Sequence, residues 1–211
     1  MISVKKALFV ALVALAALAA YWMFGSYQKQ AQHKSIAALA AEGTAQLKAA
    51  LAGEPSAAGI ARIDALLEEL RRAGTSRQIA MAGAAEGYLV SARAIVLREA
   101  DVARAEPRAA ASRQALAAHM RAPRGRDDSW IRRASDLKKR MDQEQAELDR
   151  QLKTLRDLIY TFPEAEKALA PYVDNSLLLG AAPQQAALKK VEAHIARAEG
   201  EAVRAGRLPE R

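Results

Sequence analysis

The sequence predicts an all-α protein: an N-terminal single transmembrane helix, then an elongated antiparallel helical bundle with one long, coiled-coil-like helix. Three observations predict it. Ala7 to Phe24 is an uninterrupted apolar run. Alanine is abundant, glycine and proline are sparse and clustered, and β-branched alternation is nearly absent. Residues 130–162 repeat apolar side chains with a heptad period.

The apolar run comes first. At ~1.5 Å per residue it reaches ~27 Å, close to the hydrocarbon thickness of a bilayer. Tyr21, Trp22, Phe24 and Tyr27 cluster at its end, where rings sit at headgroup level. Lys5 and Lys6 precede it, so the positive-inside rule keeps the N-terminus in the cytoplasm and sends the chain from about residue 26 across the membrane. Residues 1–25 are then cytoplasmic tip and anchor, 26–205 an extracytoplasmic bundle, and 206–211 a frayed tail. A cleavable signal peptide is the rival reading, because Ala14-Leu15-Ala16 and Ala17-Leu18-Ala19 fit the small-x-small pattern. The run continues past both sites, which favours an uncleaved anchor.

The anchor is expected to run straight into a helix ending near Ala52, where Gly53-Glu54-Pro55-Ser56 breaks it. A second helix covers 57–73, with Ile60, Ile63, Leu67 and Leu70 on one stripe. Thr75 and Gln78 fit a capping box for a third helix, rich in small residues, kinked at Pro107 and reaching Met120. Residues 121–128 form a loop whose Asp127 or Asp128 caps the next helix.

That helix, 129–161, carries the seam Trp130, Ala134, Leu137, Met141, Leu148, Leu152, Leu155, Ile159 and Phe162, with a polar lapse at Glu144/Gln145. Asp136–Arg140, Asp149–Lys153 and Lys153–Asp157 are spaced as ion pairs on its other faces. A ~50 Å helix needs long partners, from its own chain or from another copy. Thr161-Phe162-Pro163-Glu164 is expected to restart the chain as a short helix to Ala170. Residues 171–182 are irregular, and a last helix covers 183–204.

Function is approached by exclusion. No cysteine is present, so disulfides, thiolate metal sites and a cysteine nucleophile are excluded. His33, His119 and His194 are scattered and form no metal motif. Met81 and Met141 read as core fillers, and no cofactor is expected. No phosphate-binding glycine loop or nucleophile elbow occurs, so an enzyme is not expected. The formal charge is +8, about +6 beyond the anchor. Export turns that charge away from nucleic acid and toward headgroups, wall polymers or acidic proteins.

Two segments are candidate partner-binding sites: the loop bearing Arg121, Arg124 and Arg126, and the apolar Leu177-Leu178-Leu179 with Tyr172. Each has a plainer reading, as a solvated loop and as a cap on the bundle end. The expected function is a scaffold or adaptor in the inner membrane of a bacterial envelope. Residues 7–24 hold the bilayer, and the periplasmic domain binds other envelope proteins or itself. The alternative is a sensory or ligand-binding bundle that signals through a partner subunit.

Overall fold

The computed structural model describes the backbone of residues 4–73, 79–122 and 127–206, and the side chains of all of these except 4–14, 16, 17, 73 and 202–206. Among them are five α-helices and no strand: α1 (Val4–Ala52), α2 (Ala57–Ala73), α3 (Ile79–Arg121), α4 (Asp128–Leu169) and α5 (Ala181–Gly206). A 3-10 turn, Asn175–Leu177, joins the last two. The side chains of most of the anchor run, the Thr75–Gln78 capping box, Arg124 and Arg126, and the tail from Arg207 lie outside the described residues.

The helix ends follow from local chemistry. Gly53, at φ +103°, ends α1; its N–H donates to Ala50 O, and that of Glu54 to Ala49 O. This satisfies two carbonyls that the helix leaves open. Ser56 Oγ accepts from Gly59 N at 3.0 Å and starts α2. Asp127 caps α4 by accepting from Trp130 N.

Paired side chains give the directions. Tyr88 meets Phe162, Arg98 meets Gln151, and His119 meets Trp130, so α3 and α4 are antiparallel over their whole length. Asp64–Arg93 and Arg71–Glu86 set α2 antiparallel to α3. Gly43 against Leu89 and Thr44 against Tyr88 place α1 beside α3. Glu106–His194 and Arg113–Glu201 run α5 parallel to α3. The core lies between Ile36 on α1 and Ala198 on α5 and is built from all five helices.

Among the described residues one helix, Ile79–Arg121, is long and apolar enough to cross a membrane. Its Met81, Ala85, Leu89, Ala92, Ile95 and Val96 are buried within the bundle, so its apolar character serves the core. The helix continues through Pro107. Pro107 and Ala103 are both exposed, so the carbonyl that loses its partner faces water.

Three expectations about α4 need correction. The chain does not restart at Thr161–Glu164, because α4 runs unbroken through Pro163 to Leu169. Pro163 is exposed, while Phe162 and Leu169 on either side are buried. Burying each is worth ~1.5–3 kcal/mol, enough to offset the ~3 kcal/mol penalty of an interior proline. The seam is also uneven. Met141, Leu148, Leu152, Leu155, Ile159 and Phe162 are buried, but Trp130, Ala134 and Leu137 are only half-buried. α5 accompanies the hairpin past Arg113 and Gln145 and ends at Gly206, so only the last turns before the α3–α4 loop consist of two helices, and two helices cannot close a seam on all sides. The ion pairs differ as well: α4 forms Lys138–Asp142, Glu147–Arg150 and Arg156–Asp157, while Asp149 accepts from Gln145.

This unevenness predicts a split between two identical substitutions. Leu152→Asp places an unpaired charge where the side chain is 1% exposed; a loss of ~4 kcal/mol or more is expected. Leu137→Asp should cost about 1 kcal/mol. Urea unfolding of the two variants checks this, and equal losses would contradict the uneven seam.

Candidate functional site

The 3-10 turn is held by a buried polar knot. Thr44 lies mid-helix in α1, and its Oγ1 is 2.6 Å from Tyr88 Oη, 3.0 Å from Ala40 O and 2.8 Å from Leu177 O. With the phenol donating to it, the hydroxyl has one proton for two carbonyls. Tyr88 packs on Phe162 with ring centroids 5.1 Å apart. Burial pushes the phenol up to about 12, with Glu166 adding to the rise and the Thr44 hydrogen bond opposing it. It therefore stays neutral at ordinary pH, as a structural hydrogen-bonding group. Glu166 accepts from Gly180 N at 2.9 Å and from the Gln184 side-chain amide. Gly180 has φ +80°, a conformation that favours glycine and turns the chain into α5.

This arrangement accounts for one of the two candidate segments. Leu178 and Leu179 are buried, and Tyr172 and Leu177 are half-buried against the core. Leu178 and Leu179 thus belong to the core at this end of the bundle, as the plainer reading of the segment expects.

A second polar layer fills the lapse in the seam. Gln145 is buried; it accepts from Arg113 at 2.7 Å and donates to Asp149 and to Ala198 O. Arg113 also pairs with Glu201 at 2.7 Å. One glutamine thus ties α3, α4 and α5 together. The sequence carried a signal for it, a glutamine at an inward heptad position, and Tyr88, the one aromatic among the small residues of α3, was a signal for the knot.

The other candidate segment lies at the far end. Arg121 is exposed at the last position of α3. Between Arg108 and Arg140 the sequence has ten basic and three acidic residues, so the rest of the chain is nearly neutral. Arg121, Arg133, Lys139 and Arg140 are exposed and make no ion pair among the described residues. His119 stacks on Trp130 at 4.8 Å beneath the loop, His194 pairs with Glu106, and His33 is exposed. Among the described residues no three His, Asp or Glu side chains converge as a metal site would require.

Glu99 is a buried carboxyl on α3. Burial raises its pKa above the ordinary 4.5, against the opposing charges of Lys190 and His194. A raised folded-state pKa means that ionisation costs stability as pH climbs from the unfolded value through the folded one. Glu99→Gln is therefore expected to raise Tm at about pH 7 and to change it little at about pH 4. Thermal melts at the two pH values check this, and a lower Tm at neutral pH would contradict it. Comparison of the chain with family models, curated proteins and solved structures finds no match.

Proposed function

We propose that the chain is a membrane-anchored helical scaffold on the outer face of a cytoplasmic membrane. It binds protein partners of an envelope complex and carries out no chemistry of its own. One observation carries the reading. Between Leu15 and Tyr27, α1 exposes Leu15, Leu18, Tyr21, Trp22, Met23, Phe24 and Tyr27, each more than 60% accessible. A helix segment whose described apolar side chains are exposed rather than packed on the bundle is suited to lipid. From Ile36 the same helix enters the core.

The continuity of α1 gives the scaffold its geometry. Gly43 lies against Leu89, and α2 is antiparallel both to α1, through Glu42–Arg62 and Gln46 against Gly59, and to α3, so α1 and α3 run in the same direction. Phe24 and Arg121 are then separated by ~75 Å of helical rise. A partner held at the tip would stand at a fixed height above the bilayer.

Two experiments test the reading. Leu15→Arg with Leu18→Arg adds ~2.5–3.5 kcal/mol per residue to insertion. The wild-type chain is expected to stay in membranes through carbonate extraction and the variant to leave them; extraction of both would remove the anchor. For the scaffold, the full chain is crosslinked in native membranes and purified. Stoichiometric co-purification of a defined set of envelope proteins is expected, and recovery of the chain alone would overturn the reading.

A further inference from the structure

Nearly all of the net charge of the chain lies on the α3–α4 hairpin from Arg108 to Arg140. Arg113 is used by the fold, in the layer that joins α3, α4 and α5, but Arg121, Arg133, Lys139 and Arg140 are exposed. Like charges along these helices repel one another, and among the described residues acidic partners answer few of them: Glu201 pairs with Arg113, and Asp142 with Lys138. The scaffold's own membrane cannot be what the charge is for. The tip lies ~75 Å above the apolar rings of α1, against a screening length of ~8 Å in physiological salt.

The same segment has an apolar groove of about 180 Å³, floored by Ala111, Ser112, Ala115 and Leu137 and edged by Arg140. Ala111 and Ala115 are exposed on one face of α3, and Leu137 is the half-buried seam residue. Arg133 and Arg140 are one heptad apart and sit on either side of Leu137 on the surface of α4. Arg108 lies seven residues before Ala115, on the groove's face of α3. The groove is thus a shallow apolar strip bordered by Arg133 and Arg140, which are exposed and without ion pairs among the described residues, and by Arg108, which shares the adjoining cleft with Glu144 and Glu147.

We infer that this groove is the scaffold's docking surface for an acidic, amphipathic segment of a partner protein, whose apolar side chains lie on Leu137 and the alanines while its carboxylates meet Arg108, Arg133 and Arg140. The inference rests on the scaffold reading and names the surface and the partner's chemistry. Charge complementarity selects an anion. The apolar floor selects a peptide over a polyphosphate or an acidic glycan, which would leave it uncovered.

The test uses the full chain in lipid nanodiscs and three probes: a helical peptide with leucine at i, i+4 and i+7 and glutamate elsewhere, poly-L-glutamate of equal length, and inorganic polyphosphate. The peptide is expected to bind tightest. Arg133→Glu with Arg140→Glu should weaken it about tenfold or more, and Leu137→Gln about fivefold with no change for polyglutamate. Ala115→Trp, which fills the groove from an exposed position, should block the peptide alone. Lys153→Glu, on the proximal part of α4, controls for bulk charge and should change nothing. Equal affinity for all three probes with Ala115→Trp inert would overturn the inference in favour of an unspecific polyanion surface. Absence of peptide binding would also overturn it.

Crosslinking in native membranes separates the two readings. Loss of the co-purified partners in the Arg133→Glu/Arg140→Glu variant supports the surface. Equal recovery from wild type and variant keeps the scaffold and overturns the surface, while no recovery from either removes both.

Discussion

The backbone of α1 can lie against α3 because residue 43 has no side chain, and the positions of the other helices follow from that contact. A β-carbon at Gly43 would collide with Leu89 Cδ2, so the fully buried Leu89 side chain would have to shift. The next residue, Thr44, has the small hydroxyl that reaches both Tyr88 and Leu177 O. Close approach and polar knot are therefore one device in two adjacent residues. It fixes the axial register of α1 on α3 and, through the 3-10 turn, the point at which α5 begins. A helix held only by alanines and leucines could slide by a turn at little cost. Thr44 and Tyr88 resist such sliding, because another register separates the two hydroxyls and takes Thr44 from the buried Tyr88 phenol.

Register further along is set in the same way. The α3–α4 hairpin has many nearly equivalent apolar contacts, and alanine-rich surfaces discriminate poorly between alignments. Gln145 with Ala198 O and Arg113, and Gln151 with Arg98, interrupt that uniformity. Such groups add little net stability, since each gives up hydration of similar worth. Their effect falls on the misaligned states, where a buried amide without partners costs ~1–3 kcal/mol.

The sequence made the helices legible wherever local chemistry decided the matter. Gly53 and Ser56 mark one boundary and Asp127 another, each by a hydrogen bond that the residue type makes available on its own. The misses arose where distant contacts outweighed local signals. Pro163 reads as a break, yet Phe162 and Leu169 hold the helix together across it. Leu177-Leu178-Leu179 lies outside a regular helix, so the sequence left open whether it caps the bundle end or meets a partner, and its hydrogen bond to Thr44 comes only from the fold. Trp130 and Leu137 fit the seam as well as Leu152 does, since a heptad pattern records which side faces inward and not how many helices wait there. The position of Arg121 at a helix end was readable. The groove beside it was not, because it needs the pairing of Ala111 and Ala115 with Leu137 across two helices.

The two halves of the molecule meet opposite physical demands. The proximal half is packed by five helices, is close to neutral, and buries its largest side chains, Tyr88 and Phe162, at the level of the knot. The distal half is packed by α3, α4 and the end of α5 and has exposed alanines and, among the described residues, exposed arginines without ion pairs. Such a segment has the least buried area to resist local opening, so its stability is lower than that of the whole. Anything that neutralises its arginines and covers Leu137 adds the two contributions the hairpin lacks, charge compensation and apolar burial. Binding there would therefore stabilise the hairpin by mass action while leaving the proximal core unchanged. On the proposed reading, base and tip would divide the labour, the base setting the height and a partner completing the tip.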